Sequence, residues 1–275
     1  MSRNIIYILI TSAVFVFILS TTYSSDAQST KAKLIKEYHV KKARQAVATD
    51  VDNFYVINNS NIAKYRKVDG KLATEWEDND SIIHHLNSGI IIEGKLYCCN
   101  SNYPKSPMAS SIEIFDPQTL KHIGNHSFGI FNGSATWLDF YNGYWYVVFA
   151  HYTGRGNEAG KDNSWTRMVK FDKEWRQLES WIFPEKLVSR FGTKSSSGGK
   201  ILEDGRILCT GHDNYEIYEL CFPKKGYALE WIKTIPVASF GQGIAYEKKN
   251  DQELIYGIVK KENKVVVSII SETFH

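Results

Sequence analysis

The sequence predicts an all-β chain folded as a five-bladed β-propeller. Three observations lead there. A strand–turn–strand unit recurs five times, a small residue marks the same point in every copy, and the last copy lacks one strand that is available near the N-terminus. The length of 275 residues suits a single all-β domain. Aromatics make up 13% of the chain, mostly Tyr and Phe, which favours strands over helices.

The first copy is QAVATDVDNFYVINN, from residue 45, turning at Asp52-Asn53. The second, LNSGIIIEGKLYCCNSN from residue 86, turns at Glu93-Gly94. The third, GSATWLDFYNGYWYVVFAHY from residue 133, turns at Asn142-Gly143. The fourth, SSSGGKILEDGRILCTGHD from residue 195, turns at Asp204-Gly205. The fifth, GQGIAYEKKNDQELIYGIVKK from residue 241, turns near Asn250-Asp251. Asn-Gly and Asp-Gly between apolar runs are strong hairpin signals, because both turn positions need positive φ. A second hairpin follows each of the first four, turning at Asp69-Gly70, Pro117, Lys173 and Pro223 to Gly226. Each unit therefore reads as a four-stranded antiparallel meander.

Ala46, Gly89, Ala135, Gly199 and Gly243 stand at the same place in the five copies. Their spacing is about 40–50 residues, the length of a propeller blade. The one longer interval is taken up by residues 153–165 and the connection PEKLVSRFGTK. The fifth unit ends with KVVVSIISE, and KLIKEYHV at 33–40 supplies its fourth strand. An N-terminal strand that completes the last blade closes the ring and removes its free edges. An open β-sandwich leaves the recurring four-strand unit unexplained.

The N-terminus reads as an export signal. Arg3 precedes an apolar run from Ile5 to Leu19 broken only by Thr11 and Ser12, and Ser25-Asp26-Ala27 gives a small-x-small cleavage site. The run is short for a membrane span. Residues 1–27 are expected to be a signal peptide and 28–275 one propeller domain, periplasmic or secreted. Membrane association follows only if the segment stays uncleaved.

The net charge of +3 is too small and too dispersed for nucleic acid. The four cysteines, Cys98, Cys99, Cys209 and Cys221, show no C-x-x-C spacing. Adjacent Cys98 and Cys99 would face opposite sides of a strand. Cys209 and Cys221 either pair across neighbouring strands or serve as small buried residues.

In a propeller, the inner strand of each blade starts at one mouth of the channel, and the second strand ends there. The residues leading into the inner strands include Arg44, Gln45, His84, His85, Asn87, Ser134, Thr136, Ser195 to Ser197 and Gln242. Those at the ends of the second strands include Asn58, Asn59, Asn100, Asn102, Tyr103, His151, Tyr152, His212, Asp213 and Lys260. Convergent polar groups in a concave site define a candidate ligand site. His151, His212 and Tyr152 are the acid–base candidates, with Asp213 placed to orient His212. Arg44, Gln45, His85, Asn87, Asn102, Tyr103, Thr136, Ser197 and Gln242 are the candidate binding residues. No cofactor is required by this set. A divalent metal held by His85, His151 and His212 is the open alternative.

A glycosidase needs two carboxylates across the scissile bond. Only Asp213 is placed at this mouth, although Glu158 could swing in from the loop 153–165. That loop carries Gly154, Gly156 and Gly160 and could act as a lid. The expected partner is a small polar or acidic ligand, and the expected state a monomer.

The strings LNSG, SNYP, SATW, FAHY, SSSGG, TGHD and GQGIA resemble those of a bacterial family of exported propellers labelled cycloisomerase or cycloisomerase-like. The resemblance runs from Ala43 to Ile270. It implies the propeller fold and, through the label, cyclase, isomerase or lyase chemistry. A looser similarity links the chain to plant-type glutaminyl cyclotransferases, also five-bladed, whose catalytic Glu matches no position here. The expected function is acid–base chemistry on a small acidic or sugar-derived molecule. A non-catalytic glycan- or protein-binding propeller and a metal-dependent lactonase or hydrolase are the alternatives.

Overall fold

A computed structural model describes residues 30–272; the expected signal peptide lies outside the described residues. The chain forms five four-stranded antiparallel sheets in a ring, a five-bladed β-propeller. Blade 1 is β2 (Ala46–Thr49), β3 (Asn53–Asn58), β4 (Asn61–Arg66) and β5 (Leu72–Glu77). Blade 2 is β6 (Leu86–Ile92), β7 (Lys95–Ser101), β8 (Ser110–Phe115) and β9 (His122–Gly129). Blade 3 is β10 (Ser134–Tyr141), β11 (Tyr144–Ala150), β12 (Arg167–Phe171) and β13 (Gln177–Ile182). Blade 4 is β14 (Gly198–Ile201), β15 (Ile207–Thr210), β16 (Glu216–Cys221) and β17 (Glu230–Pro236). Blade 5 is β18 (Ala245–Lys249), β19 (Gln252–Val259), β20 (Lys264–Glu272) and, as its outer strand, β1 (Thr30–His39).

The closing strand is where the sequence placed it, though it begins at Thr30 rather than Lys33. It pairs with β20 from Thr30–Glu272 to His39–Lys264. Burial follows position in the blade. The inner strands β2, β6 and β10 start as fully buried runs, whereas the outer strands β5 and β9 alternate. An inner strand is covered on both faces by its neighbours, so period-2 polarity is lost there.

Each seam between blades holds one apolar cluster. Phe54, Val56 and Tyr65 of blade 1 meet Tyr256, Ile258 and Val265 of blade 5, with Tyr38 from β1. Cys98 packs in the seam between blades 1 and 2, and Cys99 in the seam between blades 2 and 3. These two cysteines do face opposite sides of their strand.

The seam between blades 3 and 4 holds a helix that strand periodicity did not reveal. Helix α1 (Glu185–Arg190) interrupts the long connection. Its Leu187 and Val188, with Phe191, pack against Trp137 and Tyr218.

The Cys209–Cys221 pairing is overturned. Both thiols are free. Cys209 stands opposite Tyr218 across β15–β16, so Cys221 lies three residues farther along. At ~3.4 Å per residue that is beyond the ~7 Å a disulfide tolerates between Cα atoms.

The inner strands crowd the axis, and this explains the repeated small residues. A Cβ on Gly243 would collide with Ala46 of blade 1, and one on Gly199 would sit 2.6 Å from the Trp137 ring. Ala46 and Gly243 also pair as a parallel bridge, which joins blade 1 to blade 5 at the axis.

Candidate functional site

At the mouth where the inner strands begin lies a cavity of about 210 Å³. Its floor takes one neutral polar side chain from each blade in turn: Gln45, Asn87, Thr136, Ser197 and Gln242. Two of them sit where the inner strands slip register. The β6–β7 ladder shifts between Leu86 and Gly89, and the β10–β11 ladder between Ala135 and Trp137. A bulge re-aims the extra residue, and here it turns Asn87 and Thr136 toward the axis. Gln242 reaches the floor by a different route. Its backbone is left-handed at φ 68°, held by its N–H on Gly211 O (3.0 Å) and by Thr210 Oγ1 donating to its carbonyl (2.5 Å). The preceding Gly241 has φ 55° and lies so close to the His212 carbonyl that a Cβ there would collide with it.

The walls are aromatic. Tyr103 packs between His85, at 5.2 Å, and Tyr152, at 4.8 Å between ring centroids. Gly156 of the long loop lies directly on the Tyr103 ring, where a Cβ would clash. The Tyr103 hydroxyl donates to Arg155 O and accepts from Lys194 Nζ, both at 3.3 Å. Lys194 and Arg155 also line the cavity and form its cationic roof. His212 completes the wall on the blade 4 side, and its Nδ1 lies 2.5 Å from Asp213 Oδ1.

The electrostatics are one-sided. Burial and the nearby positive charge of Lys260, with His212, push the His85 proton affinity down to about 4. His212 is lowered by burial and by Lys260, while Asp213 opposes the shift. Both imidazoles are therefore neutral at pH 7. Lys260 itself is lowered to about 8 by burial, with Arg44 and Lys194 adding repulsion and Asp213 partly offsetting it. Burial raises the Tyr152 phenol to about 12, so it stays a donor. Four cations against one carboxylate make the mouth a place for an anion.

Nine of the thirteen residues singled out from the sequence line this cavity: Gln45, His85, Asn87, Tyr103, Thr136, Tyr152, Ser197, His212 and Gln242. Four do not. Asp213 stands behind His212 as its partner. Arg44 is exposed beside the cavity, and its Nη1 donates to Lys260 O at 3.3 Å. Asn102 spends both ends on its own loop, donating to Pro107 O (3.0 Å) and accepting from Ala109 N–H (2.8 Å).

His151 is buried away from the cavity, with Nδ1 3.1 Å from Glu158 Oε2. Glu158 in turn accepts from Met108 N–H (3.0 Å) and pairs with Lys161 (3.3 Å). Burial would raise the Glu158 carboxyl, but these donors outweigh it and hold it low. Glu158 thus pins the loop 153–165 to blade 2 and carries Arg155 over the cavity, rather than facing Asp213. With His151 outside, the three-histidine set of His85, His151 and His212 does not come together at the cavity. Among the described residues, no group of three His, Cys, Asp or Glu side chains could hold a metal ion.

Sequence reasoning placed Lys260 at this mouth without carrying it into the candidate set, and it did not select Arg155 or Lys194. Lys194 directly precedes Ser195 and occupies the lead-in slot of blade 4, so its position was readable. Lys260 ends the second strand of blade 5 in the same way. Arg155 sits mid-loop, where no repeat position points to it.

No family model matches this chain, and no curated protein matches it. The chain is similar to several solved structures. The RRP9 WD40 repeats are 8% identical with a TM-score of 0.45, over 88% of this chain and 100% of that one. A protein of unknown function from Bacteroides caccae is 11% identical with a TM-score of 0.43, over 74% of this chain and 65% of that one. The WD40 β-propeller domain of Doa1 is 12% identical with a TM-score of 0.43, over 83% and 78%.

Proposed function

We propose that this chain is an exported propeller enzyme of the cycloisomerase or lyase type, acting on a small anionic substrate held at the channel mouth. The observation that carries the reading is the His212–Asp213 pair on the wall of a cationic cavity. Asp213 accepts a hydrogen bond from Nδ1–H, which leaves Nε2 of a neutral imidazole as the base. His212 removes a proton next to the substrate carbonyl or carboxylate, and the electron pair moves onto that oxygen. Lys194 and Arg155 hold the charge that develops. In a lyase step the pair returns from that oxygen and breaks the neighbouring C–O bond, and His212 gives its proton to the departing oxygen; in an isomerisation His212 gives the proton back to a carbon of the substrate. No external acid is consumed. The resemblance to propellers labelled cycloisomerase supports the same class of chemistry.

A panel of small carboxylates and lactones, followed by NMR in D2O, tests this. At least one probe is expected to turn over or to exchange its activated proton. His212→Ala should slow that step about 10²–10⁴-fold, the usual contribution of a general base. The probe should still raise the melting temperature of the variant. Turnover that survives in His212→Ala overturns the assignment. Binding without exchange for every probe makes the propeller a non-catalytic binder.

The charge of Lys260 sets a pH dependence. Its proton is bound below about 8 and lost above it. An anion favours the protonated form, so affinity should be full near pH 7 and fall on passing from pH 7 to 9. A drop of about tenfold is expected for one lost cation in a half-buried site. Lys260→Arg should flatten the profile. Calorimetric affinities that stay level across this range in the wild type would contradict it.

A further inference from the structure

The mouth presents two unlike faces, and we infer that the ligand satisfying both is a hydroxylated carboxylate the size of one sugar, that is, a sugar acid. This deepens the anionic-substrate reading above and rests on it.

The deciding feature is the direction of the floor amides. Asn87 Nδ2 donates to the backbone carbonyl of Ala135 at 2.7 Å, and Gln242 Nε2 to that of His212 at 3.2 Å. A carbonyl cannot donate, so the nitrogen and oxygen of each amide are assigned without ambiguity. Gln45 Nε2 is likewise engaged, with Asn59 Oδ1 at 2.6 Å. Each of the three floor amides has at least one N–H anchored in the protein. No hydrogen bond to their oxygens is formed among the described residues, and all three side chains line the cavity.

Amide oxygens only accept. They call for O–H or N–H groups on the ligand, and a carboxylate pressed against them would be repelled. The carboxylate belongs at the other face, under Lys194 and Arg155. An ammonium group could donate to the floor, but it would enter a cavity already surrounded by cations. Neutral donors remain, and on a small metabolite these are hydroxyls. The volume of about 210 Å³ is below the range of drug-sized pockets, about 300–1,000 Å³, and fits a single ring or short chain. A hydrocarbon acid would satisfy the roof and leave the floor unpaired.

Calorimetry on the full mature chain at pH 7 and low salt separates these cases. The probes are D-glucuronate and D-gluconate, D-glucose as the uncharged polyol, hexanoate as the acid without hydroxyls, and D-glucosamine as the cationic polyol. One of the two sugar acids should bind at least tenfold more tightly than D-glucose, hexanoate or D-glucosamine. Gln45→Met keeps the side-chain length at a half-exposed site. It should weaken the sugar acid several-fold and leave hexanoate unchanged. Hexanoate binding as tightly as both sugar acids overturns the sugar-acid inference and leaves the anionic-substrate reading standing. D-glucose or D-glucosamine binding as tightly as the sugar acids, or no acid binding at all, overturns both.

Discussion

A chain lacking residues 30–39 is expected to lose its cooperative fold, although every residue of the cavity remains. Strand β1 is the only part of blade 5 that comes from the other end of the chain, and it closes the ring. Its Tyr38 ring lies 4.5 Å from Phe54 of blade 1, and the hydroxyl donates to Lys67 O at 2.9 Å. Lys264 pairs with Glu37 across the same ladder at 3.1 Å. Losing a buried aromatic alone costs about 3–5 kcal/mol. Removing the strand also strips one side of β20 of its hydrogen bonds and opens the seam between blades 5 and 1. Domains hold only about 5–15 kcal/mol in total. The truncated chain should therefore melt without a sharp transition in circular dichroism and should aggregate through the bare β20 edge. A synthetic peptide of residues 30–39 added in excess should restore the transition by strand addition. An unchanged melting curve in the truncated chain would show that closure does not depend on β1.

That strand also shows how far the fold could be read from residues alone. The hairpin turns were legible because their chemistry is local. Gly94, Gly143 and Gly205 all adopt positive φ at the tips where the sequence placed turns. Closure was legible because strands must be paired, and a count one short points to the other end of the chain. Helix α1 was not, since six residues are too few to show a period of 3.6. Its Leu187 and Val188 read equally well as part of any apolar connection.

The site was legible to the level of slot and not of side-chain direction. His151 and Tyr152 share one strand exit, and adjacent residues on extended chain point to opposite sides. Tyr152 lines the cavity, so His151 turns to the loop and finds Glu158. Asn102 and Tyr103 divide in the same way, one into its own loop and one into the cavity wall. Lys194 had a readable slot but not a readable role. A lysine next to a serine run reads as a solvated turn until Lys194 is seen reaching the Tyr103 hydroxyl, its carbonyl held by Asn163 Nδ2 at 3.1 Å.

Gly198→Ala should damage stability and ligand binding together, although it adds a single methyl group. The added Cβ would lie 2.5 Å from Gly243 Cα, 2.7 Å from Gln242 O and 2.9 Å from Ile244 N. All three are backbone atoms, so no side chain can rotate away, and blades 4 and 5 must separate at the axis. Overpacking of this kind costs about 1–3 kcal/mol, and a backbone-only clash belongs at or above the upper end. That corresponds to a fall in melting temperature of about 6–12 °C for a domain of this size. Gly89→Ala is the internal comparison. Its Cβ would meet Ile57 Cδ1 at 2.5 Å and Cys98 Sγ at 3.0 Å, and the end of an isoleucine can move aside. It should cost about 1 kcal/mol, at the low end of the same range. The functional consequence separates the two further. Gly198→Ala displaces the backbone that carries Gln242, so one of the three floor acceptors leaves its place. Affinity for a sugar acid should then fall about tenfold even well below the melting transition. Gly89→Ala lies deeper in β6 and should leave affinity within about twofold, a difference of ~0.4 kcal/mol. Urea titrations and calorimetry on the two variants read both effects. A Gly198→Ala protein within ~0.5 kcal/mol of the wild type would mean the inner strands yield at the axis, because changes without such a clash stay within that margin.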